Sequence, residues 1–569
     1  MDRNRCQAVV CRAILAVLLC LSGNAVGAEK PLHEQIDALI EAGLKGSPAP
    51  ACNDAEFVRR AWLDLAGCVP PAEEARAFIA DSAADKRQRL IDRLLASPSF
   101  ARRMQYVFDV MLQERRPDKH VPDAQWREYL LTSFAENKPY NELVREVLAA
   151  DGRDPQYRAP AKFYLEREGE PNLLTRDVGR LFLGRDMQCA QCHDHPLING
   201  YKQAHYYGLF SFVNRSYLFT DAKAKVSFLA EKGEGGTEFK SVFDPKKITH
   251  QTGPRLIDGP DIEEPELAKG QEYYVKPDKT VAAVPRFSRR AQLARAATDG
   301  SQPDFNRNIA NRLWAVLMGR GLVHPVDMHH PDNPPSHPEL LDLLSEQIVA
   351  MKFDVKAFLR EVALTRTYQR SSETPESMGN EDAEPARLAV AVLKPLSAEQ
   401  MAWSLMEASG LIAPQRDAER QRYQSDPRMD DLFKVDPERE ALKATLIERG
   451  VYAKLQANVN QFVSLYGGAA GEAETDFQAT VQQALFFGNA ATVKTWLTSG
   501  NASLVARLAA LPDAGEAVEQ LYLSTLSRMP DEQERLEAIE YIIRHNSKPQ
   551  AIEEMAWGLL ASAEFRFNH

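Results

Sequence analysis

The sequence predicts a mainly α-helical protein in which two helical domains are joined by a small β-hairpin and an irregular connector. Apolar residues recur at helical spacing in many segments, as Phe57, Ala61 and Leu65 do along one side of a short run. Between residues 221 and 285 this spacing is replaced by short alternating runs, glycines and prolines. Helical spacing returns at Arg289 and continues into the C-terminal third.

Residues 1–28 have the three parts of a secretory signal peptide. Arg3, Arg5 and Arg12 supply a positive start, an apolar run follows, and small residues before Glu29 suit cleavage. The apolar run is too short to cross a bilayer, and we expect no transmembrane span elsewhere. The segment therefore predicts export to the periplasm or cell envelope.

The charge of the chain argues against nucleic acid as a partner. The formal net charge is −11, and removal of three arginines and one aspartate with the signal segment takes it to −13. An acidic surface repels the phosphate backbone, and no large basic block offsets this repulsion.

Four of the seven cysteines lie beyond the signal segment, at Cys52, Cys68, Cys189 and Cys192. The first two flank a predicted helix, which would hold them roughly 20 Å apart at its usual rise per residue. A disulfide requires Cα atoms within about 7 Å. We therefore expect Cys52 and Cys68 to be unpaired, buried thiols.

The N-terminal helical domain is predicted to cover residues 29–220. Turn residues and prolines separate its apolar helical faces. The predicted helices are 54–65, 85–96, 126–136, 140–150 and 173–183. Gly184 would end the last of these.

The connector is predicted to cover residues 221–285. Two alternating runs, 225–229 and 238–243, flank a glycine-rich stretch and predict a β-hairpin. Prolines and glycines then indicate little regular structure.

The C-terminal helical domain is predicted to cover residues 286–569. Its predicted helices are 306–318, 338–351, 355–365, 397–409, 476–487, 490–497, 515–526, 531–545 and 550–563. Ser336 is expected to cap the second helix, with Glu339 completing a capping box.

A histidine-rich stretch precedes that helix. His324, His329, His330 and His337, beside Asp327 and Asp332, could bind a metal. The alternative, which we favour, is a proline-rich loop whose histidines cap helices or face water.

The most informative motif is Cys189-Ala190-Gln191-Cys192-His193-Asp194-His195. Cys-x-x-Cys-His is the spacing at which haem is attached covalently in c-type cytochromes, with the two thiols on the vinyl groups and His193 on the iron. His195 is too close to His193 to reach the opposite face of one iron. Candidates for a sixth ligand are His205, His250, Met318, Met328, His329 and His330.

Two other interpretations of the motif stay open. Cys189, Cys192 and His195 have a workable spacing for zinc or another divalent metal, with Asp194 or His205 as a fourth ligand. A disulfide between Cys189 and Cys192 is the third possibility.

Several segments together resemble a family of exported planctomycete proteins that pair domains of unknown function 1549 and 1553, the first described as cytochrome-c-like. The segments that carry the first resemblance are 57–67, 93–98, 137–140, 189–196 and 206–210. Those that carry the second are 311–314, 319–323, 333–341, 367–371, 395–400 and 564–569. The resemblance implies an exported, mostly helical, two-domain protein with a haem site, but no known reaction. The chain departs from the family pattern at residues 327–330, where an acidic and aromatic run is expected.

The leading hypothesis is an exported c-type cytochrome-like protein that transfers electrons or supports an oxidoreductase, with a redox or cell-envelope protein as partner. The alternative is a cell-envelope scaffold or binding protein whose motif holds a small metal ion or a disulfide. The sequence offers no defensible catalytic residues, so enzymatic activity stays undecided.

Overall fold

The computed structural model describes residues 30–429, 437–472 and 491–569. The predicted signal peptide and the predicted helix 476–487 lie outside these ranges. The mainly α-helical class is confirmed, because helices dominate and the described strands form only two-stranded antiparallel sheets. No helix in the described ranges combines the length and the apolar character needed to cross a membrane.

The helices of the first two thirds of the chain pack around one another from Leu32 onward. They are α1 (Leu32–Gly43), α2 (Asp54–Ala61), α3 (Ala72–Ala80), α4 (Lys86–Ala96), α5 (Pro98–Gln113), α6 (Asp123–Ala135), α7 (Tyr140–Ala149), α8 (Lys162–Leu165), α9 (Pro171–Leu183), α10 (Gln203–Val213), α11 (Arg289–Thr298), α12 (Pro303–Met318), α13 (Pro338–Ala350) and α14 (Val355–Leu364). A π-helical turn, Trp62–Ala66, extends α2.

The helices of the last third are α15 (Ala398–Ala408), α16 (Ile412–Gln424), α17 (Pro437–Tyr466), α18 (Ala491–Thr498), α19 (Leu504–Ala509), α20 (Ala514–Leu526), α21 (Glu532–Arg544), α22 (Lys548–Ala561) and α23 (Ala563–Arg566). Local sequence sets several of their first residues. The side chains of Ser397 and Asp531 each accept a hydrogen bond from the backbone nitrogen of the third helical residue. The side chains of those third residues, Gln400 and Glu534, accept one from the backbone nitrogen of Ser397 and Asp531, which completes a capping box.

The predicted hairpin between 225–229 and 238–243 is wrong in its pairing. Strand β1 (Ser216–Asp221) pairs with β2 (Val226–Glu231), and β3 (Thr237–Phe239) pairs with β4 (His250–Thr252). The turn that closes the first hairpin is built by Asp221, whose carboxylate accepts hydrogen bonds from the backbone of Lys223 and Ala224. The hairpin therefore begins before residue 221, inside the range assigned to the N-terminal domain.

Two further pairs of short strands complete the sheets of the described ranges. Strand β5 (Tyr273–Val275) pairs with β6 (Val284–Pro285), and β7 (Lys394–Pro395) pairs with β8 (Phe567–Asn568). The β7–β8 pair joins the end of the chain to its middle.

The predicted cap of α13 is also wrong. The helix begins at Pro338 with His337 in the capping position, and no side chain caps its backbone. Ser336 is one residue too early, and its hydroxyl lies 3.1 Å from Nδ1 of His337 instead.

The two hydrophobic cores do not divide the chain at the predicted boundary of residue 286. The larger core takes nearly all its residues from Leu32 to Leu388, on both sides of that boundary. The smaller core is built from residues 396–565 together with Leu63, Cys68, Val69 and Tyr106. The predicted domain limits stay a prediction, but packing joins the predicted domains closely.

Cys52 and Cys68 are buried and free, as expected. Burial raises the pKa of both thiols, because the charged thiolate loses its hydration there. They behave as small apolar side chains of the two cores.

Candidate functional site

The Cys-x-x-Cys-His segment lies just beyond the end of α9, as the sequence predicts. Gly184 ends that helix with φ +68°, and a short 3-10 turn, Gln188–Gln191, follows. The side chain of Ala190 is fully buried, so this turn directs Ala190 into the core. The thiols of Cys189 and Cys192 are exposed and unbonded. They are therefore accessible to a group that approaches from solvent.

The ring of His193 has its proton position fixed by one contact. Its Nδ1 lies 2.6 Å from the carbonyl oxygen of Asp194. Because a carbonyl can only accept, Nδ1 must donate, and in the neutral ring Nε2 then carries the lone pair. Nε2 is the nitrogen that a metal would take.

The ring of His195 has the opposite arrangement. Its Nδ1 accepts hydrogen bonds from the backbone nitrogens of Leu197, at 3.2 Å, and Ile198, at 2.9 Å. Backbone N–H groups can only donate, so in the neutral ring Nε2 carries the proton. Neither nitrogen of neutral His195 offers a free lone pair in this arrangement.

The motif is held in place by helix α10 and by the segment that follows β3. The carboxylate of Asp194 accepts from the backbone nitrogen of Gln203 at 2.9 Å. The amide of Gln203 donates to the carbonyls of Gln191, at 3.2 Å, and Lys240, at 3.0 Å. The backbone nitrogen of Val242 donates to the carbonyl of Cys192 at 3.0 Å. Residues 240–243 thus lie directly beside the second cysteine.

Exposed apolar side chains lie on the motif loop and on the segment 242–248 that begins beside it. We call Leu197, Val242, Phe243 and Ile248 the motif patch; they are 80%, 65%, 74% and 50% exposed. The ring of Phe243 lies 4.5 Å from that of His193, centre to centre. Apolar side chains grouped in this way are typical of a surface that another group covers.

Two tyrosines of α10, Tyr206 and Tyr207, lie close to the motif. The hydroxyl of Tyr206 and the amide of Gln191 both donate to the side-chain oxygen of Asn172, at 3.0 and 3.1 Å. Burial raises the pKa of Tyr206 and of Tyr207, and the nearby thiol of Cys192 adds to the rise. Both phenols are therefore neutral over the physiological range.

The six residues proposed from the sequence as a sixth iron ligand stay predictions. In the described ranges, no hydrogen bond or ring contact joins His193 to any of the six. His205 contacts the carbonyl of Gly200 and the carboxylate of Asp258, and His250 stacks on Phe239. Met318 is buried in the larger core.

The residues predicted to bind a small metal ion do not form a metal-binding group in the described ranges. Among the described residues, no three His, Cys, Asp or Glu side chains lie together as a group that could hold a metal ion. This holds for Cys189, Cys192 and His195 and also for the histidine-rich stretch 324–337. The ligand sets proposed from the sequence stay predictions.

Two family models match the chain in tandem. Residues 35–217 match PSCyt2, a protein of unknown function (DUF1549), and residues 289–542 match PSD1, a protein of unknown function (DUF1553). The chain belongs to the family that pairs these two domains. No curated protein and no solved structure matches it.

The PSD1 domain contacts the PSCyt2 domain immediately before the motif. The backbone nitrogen of His329 donates to the carbonyl of Gly184, and that of Asp186 donates to the carbonyl of Asp327. Arg185 and Met328 form a short β-bridge between these contacts. Residues 327–330 therefore help to position the motif loop.

The histidines of this loop differ in their surroundings. Burial, together with Arg312 and Arg185, lowers the pKa of His329 to about 3, and its Nε2 lies 3.5 Å from the amide nitrogen of Asn311. The ring of His330 packs on that of Tyr201, which also contacts the ring of His195. Burial also lowers the pKa of His330, with smaller contributions from His195 and Arg185. His329 is a buried neutral ring of the domain contact.

Sequence reasoning missed the motif patch and Gln203. The sequence predicts a hairpin and a connector for the patch residues 242–248. Nothing in their local pattern indicates contact with a cysteine motif forty or more residues earlier. An exposed apolar pair, Val242-Phe243, in a polar loop was the available signal.

Proposed function

We propose that this PSCyt2–PSD1 protein is exported and carries haem c, bound through the thiols of Cys189 and Cys192 with His193 as the iron ligand. The main support is that the neutral rings of the two motif histidines carry the proton on different nitrogens, Nδ1 in His193 and Nε2 in His195. Nδ1 of His193 donates to the carbonyl of Asp194, which leaves Nε2 free to bind iron, whereas Nδ1 of His195 is engaged by two backbone donors. The geometry thus supports the haem interpretation over the small-ion interpretation.

Two further features support a haem at this position. Both thiols face solvent, so a large planar group can reach them. The motif patch offers an apolar surface beside His193, and Phe243 in it already contacts that ring. Burial of such side chains stabilises a complex by about 25 cal/mol for each Å² removed from water.

The bound haem would supply a one-electron redox centre. The chain's own residues would fix its position: Ala190 anchors the turn, Asp194 sets the ring of His193, and Gln203 holds residues 191 and 240 together. Electron transfer to, or support of, an oxidoreductase partner at the periplasm or cell envelope is the function proposed. Export rests on residues 1–28.

The test is expression in a bacterial periplasm with c-type haem maturation proteins. We expect a Soret band, and a haem adduct on the tryptic peptide that contains Cys189 and Cys192. C189S and C192S should each weaken the covalent attachment, and the double variant should abolish it. A purified, folded protein without haem would contradict the proposal.

The histidines supply a matched pair of variants. H193A should change the visible spectrum of the iron and weaken attachment, because the proximal ligand is lost, whereas H195A should leave both nearly unchanged. If instead the protein contains stoichiometric zinc that H195A removes, the alternative of a cell-envelope scaffold with a small metal ion is favoured. A Cys189–Cys192 disulfide in the thiol titration would favour the alternative with a disulfide.

A further inference from the structure

A large acidic groove lies on the PSCyt2 domain and is lined by residues that the motif does not use. Its volume is about 1120 Å³. Helix α6 forms one wall, α7 and Lys138 form the floor, and the loop 150–160 forms the other wall. A space of this size exceeds the roughly 300–1,000 Å³ of a typical small-molecule pocket. The groove therefore suits an extended ligand.

The side chains that line the groove carry a net negative charge. Four carboxylates line the groove, Glu128, Glu146, Asp151 and Asp154, and Lys138 is the one lysine or arginine among the lining residues. Glu146 is paired with Lys138 at 2.6 Å, and Glu128 with Arg449 at 2.8 Å. The groove keeps a negative charge after both pairs are counted.

Asp151 and Asp154 supply that remaining charge. One oxygen of each accepts a backbone hydrogen bond within the loop, from Arg153 and from Gln156. No cationic side chain of the described ranges forms an ion pair with either carboxylate. Neither arginine of the loop forms an ion pair with them. The guanidinium of Arg153 lies over the ring of Phe228 at 4.8 Å, and that of Arg158 donates to the backbone carbonyls of Gly152, His120 and Ser227.

An aromatic ring stands at the rim beside these carboxylates. Tyr157 is 71% exposed and forms part of the lining. The other lining tyrosine, Tyr129, is covered by Trp126 on one side and by the ammonium of Lys138 at 5.0 Å. Tyr157 thus offers an open face, and a cation over such a face gains about 0.5–1 kcal/mol at an exposed site.

We propose that this groove binds a lysine- or arginine-rich segment of a partner polypeptide. Basic side chains would pair with Asp151 and Asp154 and lie over Tyr157, while the alanines and prolines of the walls contact the stems of these side chains. Charge complementarity selects this ligand over an acidic or neutral one. The site does not depend on the haem proposal, since none of its residues belongs to the motif.

The test is fluorescence anisotropy with a labelled oligolysine, using labelled oligoglutamate, spermine and a neutral oligosaccharide for comparison. We expect oligolysine to bind, and D151N/D154N to weaken it about three- to tenfold, as expected for two exposed ion pairs. Y157A should weaken it about threefold through the lost cation–π contact. Binding should also fall as the ionic strength rises from about 0.05 M to about 0.5 M.

The matched control is E263Q/E266Q, which removes the same charge from an exposed loop elsewhere. This variant should bind oligolysine like the wild type. Equal weakening by both double variants would show a general effect of net charge and overturn the proposal. Tighter binding of the oligosaccharide than of oligolysine, or equal binding of spermine, would also overturn it. Thermal melts of all variants exclude misfolding as the cause.

Discussion

His193 and His195 stand two residues apart, yet their rings expose different nitrogens to a ligand. The difference comes from single backbone contacts: a carbonyl at Nδ1 of His193 and two N–H groups at Nδ1 of His195. At the scale of the residue, such contacts decide which histidine ring leaves a nitrogen lone pair free. Contacts of single residues also explain why position 184 is a glycine, because its φ is +68° and there is no room for a side chain.

We expect G184A to destabilise the protein by about 2 kcal/mol or more. A left-handed conformation costs a non-glycine residue about 1–2 kcal/mol, and a Cβ here would lie 2.7 Å from the ring of His329 and 3.0 Å from the side chain of Asn308. Chemical unfolding measures the loss. The control is G558A in the interior of α22, where a Cβ meets nothing; it should be neutral or slightly stabilising. Equal effects of the two changes would contradict this account.

We expect His329 to make stability fall as the solution is acidified. Its pKa is about 3 in the folded protein and about 6.5 when unfolded, so the unfolded state binds a proton first. The contribution of neutral His329 to the free energy of unfolding is fully present above about pH 6.5 and is lost as the pH falls toward 3. At pH 5 this loss is about 2 kcal/mol. The free energy of unfolding at pH 8 and pH 5 measures it, with H329Q as the comparison. If H329Q keeps the whole pH dependence, other groups cause it.

At the scale of the element, the π-helical turn after α2 joins distant parts of the chain. It carries Asp64, whose carboxylate accepts from Nζ of Lys394 at 2.6 Å, from the hydroxyl of Tyr368 at 2.9 Å and from the amide of Asn568 at 2.8 Å. Lys394 and Asn568 lie on β7 and β8. One buried carboxylate thus fixes the short sheet between the middle and the end of the chain.

We expect D64N to cost about 3–5 kcal/mol of stability, because it leaves Lys394 buried without its counter-charge. Burial already lowers the pKa of Lys394, and Asp64 partly offsets this. The double variant D64N/K394M should recover part of the loss, since no unpaired charge remains. A double-mutant cycle in denaturant measures the coupling; additive effects would argue against the ion pair.

The family segment 57–67 shows that residues which carry the family resemblance can have a structural role. Arg59 donates to the carbonyls of Glu564 and Phe565, and Arg60 to those of Tyr368 and Arg370. The residues that carry the resemblance therefore hold the chain's C-terminal end in place. Their partners lie hundreds of positions away, beyond the reach of local patterns.

At the scale of the whole molecule, the PSCyt2 and PSD1 domains share a core and a network of charges. Arg180 of the first domain contacts Asp177 at 3.3 Å and approaches Asp327 of the second at 3.7 Å. Burial would raise the pKa of Asp177, but Arg167 and Arg180 outweigh it and hold that pKa at about 2. Asp177 therefore stays charged, and the domain contact keeps its ion pairs, at any physiological pH.

We expect fragments to show where the cooperative unit ends. A fragment of residues 30–286 removes every core residue from Leu293 to Leu388, so it should aggregate or unfold without a sharp transition. A fragment of residues 30–396 keeps the larger core and the Asp64–Lys394 pair, and it should melt cooperatively. Denaturant unfolding followed by circular dichroism separates the two. Cooperative unfolding of the shorter fragment would contradict the shared core.

Local residue patterns are enough to predict the helical class, many of the helix positions, the unpaired state of Cys52 and Cys68, the family and the Cys-x-x-Cys-His segment. These features depend on the spacing of residues that are close together in sequence. Tertiary contacts alone establish the strand partners of 216–252, the contact of residues 327–330 with Gly184, and the surroundings of the motif. Each of these depends on backbone and side-chain groups that are remote in sequence. The choice between His193 and His195 turns on such contacts, because the hydrogen-bond partner of Nδ1 leaves Nε2 of only one ring free to bind a metal.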